Sequence, residues 1–122
     1  MAQDYHDLIV WQRAIELTVC IYQLTRTFPK DELYGLVSQM RRASVSIASN
    51  IAEGRERLTP GEFRQFLGIA QGSTFELQTQ LLVAGKLGFG TDATLIGADS
   101  LSNEVSKMLG SLLQTLKPAA KS

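Results

Sequence analysis

The chain is nearly devoid of histidine and cysteine, with one of each, His6 and Cys20, in 122 residues. A lone cysteine excludes an intramolecular disulfide, and nothing in the chain calls for an oxidising compartment. Set in an apolar stretch, Cys20 reads as a buried, inert thiol. The histidine lies ahead of the first apolar stretch, so a hydrolytic triad lacks its base and a haem lacks an axial imidazole. A di-iron site fails the same way. Each helical stretch does carry a glutamate, Glu16, Glu53, Glu76 and Glu104, but the pattern needs Glu-x-x-His on two helices. No Gly-rich phosphate loop follows any strand. The expectation is no catalytic residue, no metal and no cofactor. An excess of one charge is also lacking: 12 bases meet 12 acids, which excludes the whole-molecule basic field of a typical nucleic-acid binder. No apolar run approaches the ~20 residues that cross a bilayer. Residues 1–7 have no basic segment leading into an apolar one, so a cytoplasmic protein with no membrane partner is expected.

Against these absences, apolar residues are plentiful: 44% hydrophobic against 20% charged excludes a disordered chain. A length of 122 residues suits one domain, 1–122, with no linker, repeat or low-complexity segment. The apolar residues recur at helical spacing in four stretches, about 7–27, 35–57, 60–87 and 92–116, and none alternates with period two. With short connections, the predicted fold is all-α, an antiparallel up-down-up-down four-helix bundle.

In the first stretch, Leu8, Trp11, Ile15, Val19 and Tyr22 share one face and Leu17, Ile21, Leu24 and Phe28 an adjoining one. That width predicts packing against two neighbours. Pro29 ends the helix, because it cannot donate a backbone hydrogen bond and disfavours helical angles at Phe28. The second stretch turns Leu36, Met40, Ala43, Ile47 and Ile51 inward. Beside them Ser44, Ala48 and Ala52 recur every four residues, a small-residue seam where another helix, in the bundle or in a second subunit, can come close.

Thr59-Pro60-Gly61-Glu62 predicts a capping box at the start of the third helix. Leu58 and Phe63 are placed to staple it. Phe63, Phe66, Leu67, Ala70, Leu77, Leu81 and Ala84 should face inward. Gly68 and Gly72 each cost about 1 kcal/mol of helix propensity, a cost that makes sense if a helix crosses closely there. Gly88-Phe89-Gly90 stops the helix. Thr91 or Asp92 can cap the fourth, with Leu95, Leu101, Val105, Met108, Leu112 and Leu116 inward. Pro118 closes it, leaving 118–122 as a frayed tail.

Taken by segment, neutrality is a sum of unlike parts. Residues 1–40 carry three bases against five acids, and residues 65–122 carry four of each. Residues 41–64 hold Arg41, Arg42, Arg55, Arg57 and Arg64 against three glutamates, and these are five of the seven arginines. Arginine suits phosphate and planar base contacts. On a helical wheel Arg41 and Arg55 fall beside the Ala48–Ala52 stripe, while Arg42 projects to the polar side with Ser46, Ser49 and Glu53. Two uses are open: contact with RNA or DNA, or pairing with acids, as in an i,i+4 Glu53–Arg57 pair or a bridge to another subunit.

Three runs carry a family resemblance: Val10-Trp11-Gln12-x-Ala14; Phe28-Pro29 with Tyr34-Gly35-Leu36-x-x-Gln39-x-Arg41-Arg42-Ala43-x-x-Ser46-Ile47-x-x-Asn50-Ile51-Ala52-Glu53-Gly54; and Phe63-x-x-Phe66-Leu67-x-Ile69-Ala70-x-Gly72-Ser73-x-x-Glu76-Leu77. Across about residues 7–88 the sequence resembles the four-helix-bundle proteins encoded in intervening sequences of large-subunit (23S) ribosomal RNA. Looser relatives include the accessory variability determinant proteins of diversity-generating retroelements, homopentamers that bind nucleic acid and a reverse transcriptase. The resemblance implies a cyclic homo-oligomer, foremost a pentamer, with RNA, DNA or a nucleic-acid enzyme as further partners, and it singles out Arg41 and Arg42. It implies no activity. The chain departs from these relatives in being neutral, in having Ala48 where proline often follows Ser-Ile, and in running Arg55-Glu56-Arg57 after Glu53-Gly54.

Overall fold

A computed structural model describes residues 4–118. Among them the fold is all-α, with four long helices: α1 Ile9–Thr25, α2 Ser38–Arg55, α3 Pro60–Lys86 and α4 Asp92–Thr115. Each packs on two others, α1 on α2 and α4, α3 on α2 and α4. The shared core is built from Leu17, Ile21, Met40, Ile47, Ile51, Leu67, Leu77, Val105 and Leu109, all fully buried. No described helix is long and apolar enough to cross a membrane.

Contacts fix which parts of each pair meet. The Thr18 hydroxyl donates to the Ser44 carbonyl at 3.1 Å, and Arg41 donates to Thr25 at 3.0 Å. Ser46 and Ser73 share a hydrogen bond of 2.9 Å, while Gly54 lies against Phe63 and Phe66. Gln71 donates to the Ser106 carbonyl at 3.0 Å and Gln78 to Asn103 at 2.9 Å. Phe28, just past α1, meets Phe89 of the α3–α4 connection with ring centroids 5.4 Å apart. At the other end Asp7, Leu8, Ile9 and Val10 share a surface hollow with Lys107, Met108, Ser111 and Leu112.

Several expectations need correction. Helix α2 begins at Ser38, not 35: Leu33–Val37 form a π-helical turn, with Gly35 at φ −110° and ψ −112°. The cause is Glu32, whose carboxylate accepts from the Leu36 amide at 3.2 Å and fills the space beside Gly35. On α1 the buried stripe is Val10, Ala14, Leu17, Ile21 and Leu24, whereas Ile15, Val19 and Tyr22 are exposed. Two apolar stripes compete there, and the bundle covers only one. Leu58 is 96% exposed, so it staples nothing. At Thr59 half of the capping box forms: the hydroxyl accepts from the Glu62 amide at 3.1 Å, but the Glu62 carboxylate takes the Thr59 hydroxyl instead of its amide. The full reciprocal box is at Thr91 and Thr94. On α4, Leu109, Ala98 and Ser102 are buried while Leu95, Leu101, Met108, Leu112 and Leu116 are half-buried, leaving α4 partly open. The end of α3 follows the sequence: Gly88 at φ 77° ends it, with the Phe89 amide donating to the Ala84 carbonyl at 2.9 Å. The expected fray beyond Pro118 lies outside the described residues.

Candidate interaction surface

Helix α2 places the arginine-rich segment at two ends of the bundle. Arg41 and Arg55 are fourteen residues apart on it, about 21 Å along the axis at 1.5 Å per residue. At one end the Arg41 Nε donates to Thr25 while the guanidinium sits 4.6 Å over the Tyr22 ring. Thr25 can accept because its own proton goes to the Ile21 carbonyl at 2.7 Å. Arg42, next in sequence, is exposed and makes no ion pair among the described residues.

At the other end the arginines are tied down. Arg55 lies 5.9 Å from the Phe63 ring centre. Arg57 lies 4.7 Å over Phe66 and holds Glu53 at 2.7 Å, the i,i+4 pair anticipated from sequence. Arg64 donates to the Leu113 carbonyl at 3.1 Å, a cation against the last turn of α4. The segment therefore forms no single cationic cluster within one chain.

The small-residue seam divides likewise. Ser44 is fully buried, and the Thr18–Ser44 bond marks the close approach of α1 and α2. Ala48 is buried and Ala52 half-buried, both lining a hollow with Trp11, Ile15 and Thr18. Gly68 and Gly72 behave otherwise: both are exposed, and among the described residues a Cβ on either would meet nothing within 4 Å, so no described helix crosses there. The tight crossing is at Gly54, where a Cβ would stand 2.5 Å from the Phe66 Cβ. Sequence reasoning ran the second helix through Gly54 to about 57 and placed the close approach at Gly68 and Gly72 instead.

Between α1 and α2 lies a surface whose α1 part the sequence placed against a second neighbour and whose α2 part it did not mark. A hollow lined by Trp11, Ile15, Thr18, Val45 and Ala48 adjoins a second lined by Tyr22, Leu33, Tyr34, Arg41 and Arg42. Val45 borders both, so the two are continuous. Ile15, Val19, Tyr22, Leu33, Tyr34 and Val45 are all exposed, Tyr34 to 94%. For Ile15, Val19 and Tyr22 the signal was the excess width of the α1 stripe, while Leu33, Tyr34 and Val45 lie outside α1.

Arg13 was also missed. It reaches Glu16 at 2.9 Å and Glu104 of α4 at 3.1 Å, and the Glu16 hydrogen bond, followed by the charge of Glu104, raises its already high pKa. Cys20 is half-buried instead of buried, and desolvation pushes its thiol pKa up. Among the described residues, no three His, Cys, Asp or Glu side chains converge to hold a metal ion.

The pattern of the 23S rRNA-intervening sequence protein family matches residues 6–111. The chain belongs to that family. The fold is shared with a protein of unknown function from the S23 ribosomal protein family of Bacteroides thetaiotaomicron VPI-5482, at 22% identity and a TM-score of 0.80, covering 87% of this chain and 96% of that one. A likeness at that identity speaks for the fold alone. No curated protein matches. The family name describes where such proteins are encoded and specifies no reaction.

Proposed function

We propose that this family member is a non-enzymatic, homo-oligomeric scaffold whose protomer is an up-down-up-down bundle and whose α1–α2 surface is a subunit contact. The up-down reading is supported by the order of the contacts. As α1 advances from Thr18 to Thr25 its partners on α2 recede from Ser44 to Arg41, and the partners of α3 on α4 recede from Ser106 to Asn103 as α3 advances from Gln71 to Gln78.

One observation carries the scaffold reading: the continuous exposed apolar surface Ile15, Tyr22, Leu33, Tyr34 and Val45. A run of large apolar side chains across two helices, rimmed by Arg41 and Arg42, has the composition of an interface. Light scattering should give a mass that is a multiple of the 13.4 kDa chain, with five chains the number favoured by the family resemblance. Val45→Glu, at the exposed residue that borders both hollows, should lower that mass and leave helicity near wild type. Arg41→Ala, which frees Tyr22, should weaken the assembly as well. A wild-type mass of one chain would overturn the reading.

A second reading, contact with RNA or DNA, draws on Arg42, exposed and in no ion pair among the described residues. Assembly would repeat it around a ring, so a neutral protomer could present a local basic surface. Titration with structured RNA and with duplex DNA at two salt concentrations tests this. Phosphate-driven binding must weaken steeply with salt and fall in Arg42→Ala. The absence of salt-sensitive binding at micromolar protein would leave the scaffold without a nucleic-acid role.

A further inference from the structure

A hollow of about 250 Å³ lies where the end of α1 meets the turn that leads into α2. Arg26, Lys30 and Arg41 all line it, and no acidic side chain does. Arg26 and Lys30 are two of the three bases in residues 1–40, the segment whose charges sum to an acidic total. None of the three cations makes an ion pair among the described residues. The acids nearest in sequence do not neutralise them. The Glu32 carboxylate is turned onto the Leu36 amide at 3.2 Å, and Asp31 is exposed and in no ion pair among the described residues.

The end of α1 does not account for this gathering of charge. A helix C-terminus carries about half a negative charge, against three positive ones here. Its last carbonyls are also in use: Leu24 accepts from the Thr27 amide and Thr25 from the Phe28 amide, each at 3.2 Å. Arg41 is held in place by its Nε, which donates to Thr25 at 3.0 Å, while its terminal nitrogens make no hydrogen bond among the described residues. A cleft lined by charge of one sign concentrates the opposite ion. The remaining wall is apolar, from Phe28, Leu33 and Val37. Phe28 and Val37 are buried, so that wall is part of the core and keeps its shape.

We infer that this hollow binds a small phosphate monoester, with Arg26, Lys30 and Arg41 taking the phosphoryl group and the carbon portion lying against Phe28, Leu33 and Val37. Three cations suit a dianion: a phosphate monoester carries about −1.5 to −2 at neutral pH, a carboxylate only one charge. Two guanidiniums add paired donors that match phosphoryl oxygens. The volume falls below the roughly 300–1,000 Å³ of a pocket for a drug-sized ligand, so the carbon portion is short. Arg42 does not line this hollow. The site is therefore distinct from the one on which contact with RNA or DNA would rest, and it needs no second subunit.

Calorimetric titration of the full chain at low salt with glycerol phosphate, inorganic phosphate and glycerol tests it. Glycerol phosphate should bind saturably, inorganic phosphate more weakly for want of a carbon portion, and glycerol not at all. Arg26→Gln and Lys30→Gln should each weaken glycerol phosphate about tenfold, the loss expected for one hydrogen bond to a charged group, whereas Lys30→Arg should retain it. Arg26 and Lys30 are exposed, so circular dichroism should stay at wild type in all three. Arg42→Ala should bind as wild type does, which separates this site from any nucleic-acid contact. The site is overturned if glycerol phosphate shows no saturable binding at millimolar concentration, if the Arg26→Gln/Lys30→Gln double variant binds it unchanged, or if Arg42→Ala abolishes it. Equal affinity for glycerol phosphate and inorganic phosphate would overturn the assignment to an ester.

Discussion

Gly54 and Gly68 show how one substitution can act with opposite sign on adjacent helices. At Gly54 a Cβ would stand 2.5 Å from the Phe66 Cβ and 3.2 Å from Phe63 Cδ1, in a crossing that cannot open without separating α2 from α3. Gly54→Ala should destabilise the chain by about 1–3 kcal/mol, the range for an overfilled core. At Gly68 nothing stands within 4 Å, so Gly68→Ala should gain about 1 kcal/mol from helix propensity. Urea denaturation of both variants reads the two signs, and a loss at Gly68 would mean that a neighbouring copy fills that space. Cys20 gives a pH dependence. Desolvation raises its folded-state pKa, so on raising pH the unfolded chain loses the thiol proton first. The contribution to stability is full below the unfolded thiol pKa, about 8.5, and is lost as pH rises through the higher folded value. Cys20→Ala should flatten the alkaline fall of the urea midpoint. Iodoacetamide should alkylate the native thiol more slowly than a free thiol at the same pH.

At the scale of elements, α4 depends on its cap more than its neighbours do. It buries only Ala98, Ser102, Val105 and Leu109, and its first turn is closed by two reciprocal bonds, Thr94 amide to Thr91 hydroxyl at 3.2 Å and Thr91 amide to Thr94 hydroxyl at 3.1 Å. Thr91→Ala should cost about 1 kcal/mol, more than Thr59→Ala, where a single amide is capped. Faster amide exchange in the first turn of α4 is the measurement. The four helices were legible because their ends carry local chemistry: Pro29, Thr59-Pro60 and Gly88 act through groups within one turn of themselves. The start of α2 was not, since a helical pattern continues through Leu33–Val37 and only the Glu32 carboxylate, folded back on the Leu36 amide, interrupts it. The exposed stripe of α1 escaped for a related reason. Periodicity reports that Ile15, Val19 and Tyr22 share a face, but not whether this chain or another covers it.

For the whole molecule, charge was legible as a distribution and not as a surface. Arg57 and Glu53 could be paired from their spacing, but Arg64 to Leu113 and Arg13 to Glu104 join residues distant in sequence and depend on how the helices pack. Those contacts occupy most of the arginine-rich segment inside one protomer and leave Arg42 as the exposed cation beside an apolar hollow. Any salt dependence of partner binding should therefore trace chiefly to Arg42, with Arg57→Ala nearly silent in the same titration.

The hollow shared by Leu8 and Leu112 has a further consequence. It brings the start of α1 beside the last turns of α4, so a short linker could join them. The connection at Leu58, 96% exposed, could be opened instead. Such a circular permutant would keep every helix and every helix–helix contact while changing the order in which they are made. It should fold to the same bundle with an altered folding rate, because the packing depends on which helices are neighbours in space and not on which end of the chain is synthesised first.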